Sequence, residues 1–143
     1  FFQAEDGIRD RSPSRGLGDV YKRQRALDQL CEQGKVKLAE GRWVVIFPEG
    51  TRTPPGEQGR YFPGGAMLAV RAGVPVIPVA HNAGQFWGRR SFLKYPGTIN
   101  VRVGPAINTQ NVKAREVNKA ALTWIEDTMQ ELYRNNPPSL TTP

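Results

Sequence analysis

The spacing of hydrophobic residues along the chain predicts three helices. In the first, apolar and small residues share one face from about residue 24 to Gly41, which is placed as a C-terminal cap. The second helix is short and apolar, from about residue 65 to residue 72. The third is amphipathic, from about residue 112 to residue 133, and its apolar face comprises Val117, Ala121, Trp124, Ile125 and Leu132.

Three segments between these helices have the patterns of strands. Residues 43–47 form a continuous apolar run, which is typical of a buried strand covered on both faces. Residues 74–80 predict a second buried strand, in which Pro75 and Pro78 would remove ladder hydrogen bonds and make it an edge, bulged or irregular strand. Residues 98–103 alternate apolar and polar side chains, so one face of a third strand should be wet or lie at an edge. The order of elements predicts an α/β fold, a layered sheet with flanking helices.

The two ends of the chain have different patterns from the middle. Residues 1–24 are rich in Arg, Asp, Ser and Gly, show neither a helical nor a strand period, and contain several breakers. Their composition predicts disorder, and they resemble translated adapter read-through foreign to the protein, with a native flexible linker as the alternative. Residues 137–143 predict a flexible tail, because their prolines cannot continue a helix. One folded unit, residues 25–136, remains.

Size, cysteine content and charge narrow the class of protein. The 143 residues fit one compact domain, and a single cysteine, Cys31, excludes an internal disulfide and fits a reducing compartment. We interpret Cys31 as a buried small hydrophobe. No run approaches the roughly 20 apolar residues of a membrane-spanning helix, and no signal-peptide pattern opens the chain. The net charge of +7 attracts anions, but charge alone does not distinguish phosphorylated metabolites, anionic lipid and nucleic acid.

One hexapeptide, Phe47-Pro48-Glu49-Gly50-Thr51-Arg52, carries the candidate chemistry. It follows the first predicted strand directly, and ligands in α/β sheets collect at the carboxyl ends of strands. Gly50 would let the backbone approach a phosphate, Thr51 offers a hydroxyl, and Arg52 offers a planar fork for two oxygens. Glu49 would orient Arg52, bind the loop's own amides or accept from a substrate hydroxyl. A plain turn with a surface ion pair between Glu49 and Arg52 remains the alternative.

The hexapeptide FPEGTR is followed about 22 residues later by Val74-Pro75-Val76-Ile77-Pro78-Val79. Together these segments resemble the last two of the four motif blocks of the 1-acylglycerol-3-phosphate acyltransferase family. The resemblance runs from about Arg25 to the terminal helix and includes the helix start at Gly64-Gly65-Ala66. It implies a glycerolipid acyltransferase-like fold, truncated at its N-terminus, in which residues 25–136 are the C-terminal part of the domain.

The resemblance also implies an activity and a site. The activity is transfer of a fatty acyl group from acyl-CoA or acyl carrier protein to the free hydroxyl of lysophosphatidic acid, giving phosphatidic acid, or to another lysophospholipid. No other cofactor and no metal is implied. The setting would be a membrane surface, on the cytoplasmic face of the inner membrane. The residues expected to bind the phosphate and glycerol of the acceptor are Glu49, Gly50, Thr51 and Arg52, and residues 74–79 would support the acyl or acceptor site.

The sequence departs from the family pattern where the family has its catalytic base. The family's first block is a His and an Asp separated by four residues, a base and its orienting carboxylate. Here the only histidine is His81, and position 86 is Phe. The second block, with an acceptor-binding Arg, is also missing, and Phe62 stands where a Lys is common. We interpret His81 as structural or peripheral, assign no catalytic residue, and expect the chain to be inactive alone.

The connector of residues 86–95 interleaves aromatic and basic residues. Such a pattern occurs in basic modules that bind nucleic acid, but no nucleic-acid motif accompanies it and the acyltransferase blocks explain more residues, so no nucleic-acid partner is expected. Two interpretations remain. The connector rests on an anionic membrane surface, with apolar side chains at the headgroups and cations near acidic lipid, or it folds its aromatic residues onto the core and leaves its cations solvated. The apolar side chains in question are Trp87, Phe92, Leu93 and Tyr95, and the cations are Arg89, Arg90 and Lys94.

Overall fold

The computed structural model describes residues 17–88 and 91–135. Three helices flank a small sheet, and the three helices predicted from the sequence are confirmed. In chain order the elements are α1 (Leu17–Ala39), α2 (Gly64–Ala72), β1 (Val79–His81), a 3-10 turn (Ala83–Gln85), β2 (Val101–Val103) and α3 (Ala114–Asn135). No helix in these described ranges is both long enough and apolar enough to cross a membrane.

The first helix is longer than its apolar pattern predicts. It begins at Leu17, so residues 17–24, predicted to be disordered, form its first two turns. Tyr21, Lys22 and Gln24 are exposed there, which explains why the segment shows no apolar period. A packed helix can propagate into an exposed stretch because only nucleation is costly. Residues 1–16 and the predicted tail lie outside the described residues, and the foreign origin of residues 1–24 stays a prediction.

Helices α1 and α2 pack closely through small residues. Gly34 on α1 lies against the side chain of Leu68, so that a Cβ at this position would collide with the leucine methyl groups. Cys31 is a buried free thiol, as predicted. At the surface an ion pair of 3.1 Å joins Arg71 on α2 to Asp28 on α1. The core therefore begins at a tight contact between two helices, which depends on the absence of a side chain at Gly34.

The third helix covers α2 and the sheet. Val117 and Leu132, at opposite ends of its predicted apolar face, are both buried. Gly104, just after β2, lies so close to Trp124 that an added Cβ would be 2.6 Å from the indole atom Cε2. This close approach fixes the distance between α3 and the sheet.

The sheet contains two antiparallel strands, with Val79 opposite Val103 and His81 opposite Val101. Pairing resumes at a single bridge between Val76 and Ile107, where both backbone hydrogen bonds form, at 3.1 and 2.8 Å. Pro75 and Pro78 supply no N–H, although the Pro78 carbonyl accepts from Gly104 at 2.9 Å. The prediction of an irregular strand over residues 74–80 is therefore confirmed. In β2 every residue is exposed, which agrees with the prediction that this strand is wet or lies at an edge, although neither face is buried.

The prediction of a buried strand at residues 43–47 is wrong. The segment has no regular secondary structure and lies outside the two-stranded sheet. Trp43 is 86% exposed, and Val45 and Phe47 are exposed as well. An apolar run predicts burial only if other elements cover it. In the described part of the chain, no further sheet strand covers the faces of this segment.

The connector of residues 86–95 forms a closed loop with an apolar tip. Its ends meet where the N–H of Tyr95 donates to the carbonyl of Phe86 at 2.8 Å. Phe92 is 99% exposed at the tip, and Leu93 is also exposed. The interpretation that this connector folds its aromatic residues onto the core is therefore wrong for the tip.

Candidate active site

A groove with a volume of about 1610 Å³ contains both motif blocks. Most of its lining comes from residues 41–58, residues 74–81 and one face of α3, and α2 and Trp87 also contribute. Glu49, Thr51 and Arg52, three of the four predicted site residues, contribute to the lining. The segments are distant in sequence, so their meeting is a result of the fold.

The hexapeptide forms a tight turn. The N–H of Gly50 donates to the carbonyl of Phe47 at 3.1 Å, and Gly50 has a φ of 64°, in the left-handed region that glycine adopts without steric cost. The N–H of Phe62 donates to the carbonyl of Pro48 at 2.8 Å and closes the loop that follows. Thr51 and Arg52 are left exposed at the start of this loop. The turn therefore presents a hydroxyl and a guanidinium to an incoming ligand.

Glu49 is held within the loop. The Thr53 hydroxyl donates to Glu49 Oε2. Gly59 lies against this pair, and a Cβ there would be 2.9 Å from Thr53 Oγ1. Of the described residues it is Thr53, and not Arg52, that pairs with Glu49, so the surface ion pair of the plain-turn alternative does not form. The guanidinium of Arg52 consequently has no carboxylate to neutralise it within the turn.

Arg52 is stacked on a residue from a distant part of the sequence. Its guanidinium carbon lies 5.7 Å from the centroid of the Trp87 ring, and the ammonium of Lys94 lies 4.5 Å from the same centroid. Sequence reasoning assigned Trp87 and Lys94 either to a membrane surface or to a connector with packed aromatic residues and solvated cations. The interleaving of aromatic and basic residues was the available signal, but it does not reveal which cation meets which ring.

Two tyrosines and two carboxylates form a second polar cluster within the groove lining. The hydroxyl of Tyr61 donates to Glu126 Oε1 on α3 at 3.0 Å. Burial raises the pKa of Tyr61, and the bond to Glu126 and the charges of Glu126 and Glu49 raise it further. Burial followed by the same two charges also raises the pKa of Tyr133. Sequence reasoning missed Glu126, because a carboxylate on the polar side of an amphipathic helix looks solvated.

The Tyr61–Glu126 bond predicts a loss of stability in alkali. Because the folded-state pKa is raised above the ordinary value of about 10, the unfolded chain ionises first, and stability is lost as pH rises above about 10. The free energy of unfolding should fall less steeply with pH in Tyr61→Phe than in wild type. The two slopes should differ by up to about 1.4 kcal/mol per pH unit. Urea unfolding between about pH 9 and pH 11 measures the slope. Glu126→Gln should lie between the two, and equal slopes for wild type and Tyr61→Phe would contradict the assignment.

His81 lies on the groove wall at the end of β1, and its interpretation as a structural or peripheral residue stays a prediction. Its Nδ1 accepts from the N–H of Ala83 at 3.3 Å, which places the proton of the neutral ring on Nε2. The next residue, Asn82, is fully buried, and its Oδ1 accepts from the N–H of Asn100 at 2.8 Å. Asn82 thus ties together the two chain segments from which the 86–95 loop projects, a role that its sequence context did not reveal.

The remaining sequence expectations concern Phe62 and metal binding. Phe62, at the position where a Lys is common, is exposed, and the guanidinium carbon of Arg60 lies 5.4 Å from its ring centroid. A cation is therefore present near this position, although a neighbouring residue supplies it. Within residues 17–88 and 91–135, no cluster of three or more His, Cys, Asp or Glu side chains has a metal-binding arrangement.

Comparison with known proteins assigns this chain to a family. Residues 11–82 match the family model described as acyltransferase. The 1-acyl-sn-glycerol-3-phosphate acyltransferase of Pseudomonas aeruginosa is 50% identical over 110 residues, which cover 75% of this chain and 43% of that protein. The human beta enzyme of the same name is 34% identical over 107 residues, covering 71% of this chain and 38% of the relative. The chain thus spans less than half the length of these relatives.

Comparison with a solved structure also indicates an acyltransferase fold. The crystal structure of the 1-acyl-sn-glycerophosphate (LPA) acyltransferase PlsC from Thermotoga maritima matches with a TM-score of 0.62 and 25% sequence identity. The match covers 76% of this chain and 44% of that one. The expectation of a glycerolipid acyltransferase-like fold is confirmed, and the chain belongs to the acyltransferase family.

Proposed function

We propose that the protein to which this chain contributes transfers a fatty acyl group from acyl-CoA or acyl carrier protein to the free hydroxyl of lysophosphatidic acid, giving phosphatidic acid. The observation that carries the proposal is the meeting of both motif blocks in one groove, with Arg52 exposed and without a carboxylate partner among the described residues. The relatives named 1-acyl-sn-glycerol-3-phosphate acyltransferase support the choice of acceptor.

In this reaction the motif turn binds the acceptor. The fork of Arg52 can take two phosphate oxygens, while the hydroxyl of Thr51 and the backbone at Gly50 approach the same group. The acceptor oxygen attacks the thioester carbonyl, the new C–O bond replaces the C–S bond, and the proton of the hydroxyl leaves with the thiol. Fixing the acceptor by its phosphate lowers the entropic cost of bringing hydroxyl and thioester together.

The lining of the groove also supports a lipid substrate. Apolar side chains from both motif-bearing segments contribute to its lining, among them Val45, Ile46 and Ile77. A ligand with a long acyl chain and one charged end matches this combination of apolar lining and a cationic turn.

A chimera tests the proposal directly. In it, this chain replaces the matched region of the Pseudomonas aeruginosa relative, and release of thiol is followed with acyl-CoA or acyl carrier protein as donor. We expect thiol release that depends on lysophosphatidic acid and formation of phosphatidic acid. A folded chimera that transfers nothing to lysophosphatidic acid, while the parent enzyme does, would contradict the proposal. Transfer to another lysophospholipid at a higher rate would correct the acceptor.

We further propose that the protein works at a membrane surface, on the cytoplasmic face of the inner membrane, and that the tip of the 86–95 loop touches the lipid. The tip offers two apolar side chains, Phe92 and Leu93, that are exposed to solvent. The neighbouring cation Lys94 would lie near the headgroups, where each basic residue contributes roughly 1 kcal/mol at an anionic surface. The acceptor itself resides in such a surface.

Liposome sedimentation of the chain should show this contact. Phe92→Ser combined with Leu93→Ser should reduce partitioning onto anionic vesicles, because both exposed apolar side chains are lost. The triple change of Arg89, Arg90 and Lys94 to Gln should remove the salt-sensitive part of binding. As a matched control, Tyr21→Ser with Val36→Ser removes exposed apolar surface from α1. If the tip variant and the control partition equally, the loop does not contact lipid.

A further inference from the structure

The Trp87 ring is the meeting point of two cations from different parts of the chain. Arg52 comes from the motif turn and Lys94 from the 86–95 loop, at 5.7 and 4.5 Å from the ring centroid. The two side chains are called the cation pair below. The ring lines the groove and is half exposed, at 50%, so it is open to a ligand there.

Trp87 is held firmly enough to orient them. Its indole N–H donates to the carbonyl of Ser91 at 3.1 Å, and its backbone N–H donates to the carbonyl of Ala83 at 3.1 Å. The bond between Tyr95 and Phe86 returns the chain so that Lys94 lies beside the ring. Stacking on a fixed ring restricts long side chains that would otherwise sample many rotamers.

Among the described residues, no carboxylate forms an ion pair with either member of the cation pair. The ion pairs of residues 17–88 and 91–135 join Lys37 and Arg42 to Glu40, and Arg71 to Asp28. Neither Arg52 nor Lys94 takes part in them. Two like charges near one ring repel each other, and an anion carrying two charges relieves that repulsion better than an anion carrying one.

We propose that Trp87 is a positioning residue and that the cation pair selects acceptors with a phosphomonoester headgroup over acceptors with a phosphodiester. A phosphomonoester has a second pKa near 6 and carries about two negative charges at pH 7, whereas a phosphodiester carries one. Lys94 is then the specificity-determining contact for the second charge, and Arg52 binds either class. The inference rests on the proposed function and goes beyond it, since it assigns the headgroup preference to named residues.

Kinetics of the chimera test the assignment, with lysophosphatidic acid and lysophosphatidylglycerol as the two acceptors. Lys94→Gln should raise KM for lysophosphatidic acid about tenfold, as expected for one charge-assisted contact, and leave kcat and the phosphodiester acceptor nearly unchanged. Trp87→Leu should raise the same KM at least as much, whereas Trp87→Phe keeps an aromatic face and should retain part of the preference. The wild-type preference should fall as pH drops below about 6, and the Lys94→Gln preference should not.

Lys119→Gln is the matched control, because Lys119 is an exposed lysine on α3 that, unlike Lys94, has no cation–ring contact among the described residues. Variants of Lys94 and Trp87 that behave like this control in an active chimera would overturn the inference and leave the proposed function standing. A chimera with no acyl transfer would overturn the function. In that case calorimetric titration with inorganic phosphate decides the inference: weaker binding by Lys94→Gln and Trp87→Phe than by Lys119→Gln supports it, and equal binding overturns it.

Discussion

Replacing Arg52 with alanine in the chimera should lower kcat/KM for lysophosphatidic acid by about 30- to 150-fold. This corresponds to loss of a charge-assisted contact worth about 2–3 kcal/mol, since the fork takes two oxygens of one phosphate. Arg52→Lys should recover only part of the activity, because lysine keeps the charge and loses the fork. The thermal midpoint should fall only slightly, because Arg52 is exposed and its stacking on Trp87 is worth at most about 1 kcal/mol at an exposed site. Steady-state kinetics of the three proteins, with melting curves, measure both effects.

Equal activity of wild type and Arg52→Ala would show that the hexapeptide is only a structural turn. The comparison is sensitive because Glu49 already bonds to Thr53. Removing the guanidinium therefore leaves no carboxylate without its partner, and a change in activity reports on the ligand contact. Glu49→Gln provides a useful contrast: it alters the loop's internal bond and leaves the cation in place.

The 143-residue chain by itself should release no thiol above a blank when lysophosphatidic acid and acyl-CoA are supplied. The family resemblance implies a His–Asp base that this sequence lacks, and general-base catalysis alone contributes about 10²- to 10⁴-fold. The chimera assayed in parallel shows that the reagents are competent. Lysophosphatidic-acid-dependent release by the purified chain would contradict the expectation. His81→Ala would then show whether the histidine on the groove wall supplies the base.

The parts predictable from sequence were those encoded by local pattern. Helices α2 and α3 follow from apolar periodicity, the irregular strand follows from Pro75 and Pro78, and the motif turn follows from Gly50. All of these depend on the conformational preferences of a few adjacent residues. The placement of the motif in a groove followed from the resemblance, because spacing alone left a plain turn as an alternative.

The parts that sequence did not reveal depend on contacts between distant residues. Tyr61 and Glu126 are 65 positions apart, and no local pattern indicates that a loop tyrosine will meet a helix carboxylate. The two cations at Trp87 are likewise brought together by the closed 86–95 loop. Burial of residues 43–47 was predicted wrongly for a related reason. An apolar run does not show which other residues, if any, will cover it.

The exposed run at residues 43–47 makes the chain prone to self-association when it is prepared alone. Five consecutive strand-forming residues without a charge or a proline, here with Trp43 largely in solvent, are a typical nucleus for intermolecular β-pairing. The flanking residues limit this hazard: Arg42 adds a charge immediately before the run, and Pro48 ends it. Aggregation of the isolated chain would therefore be expected to begin at this segment, and a charged substitution at Val45, which is exposed, is the simplest way to suppress it.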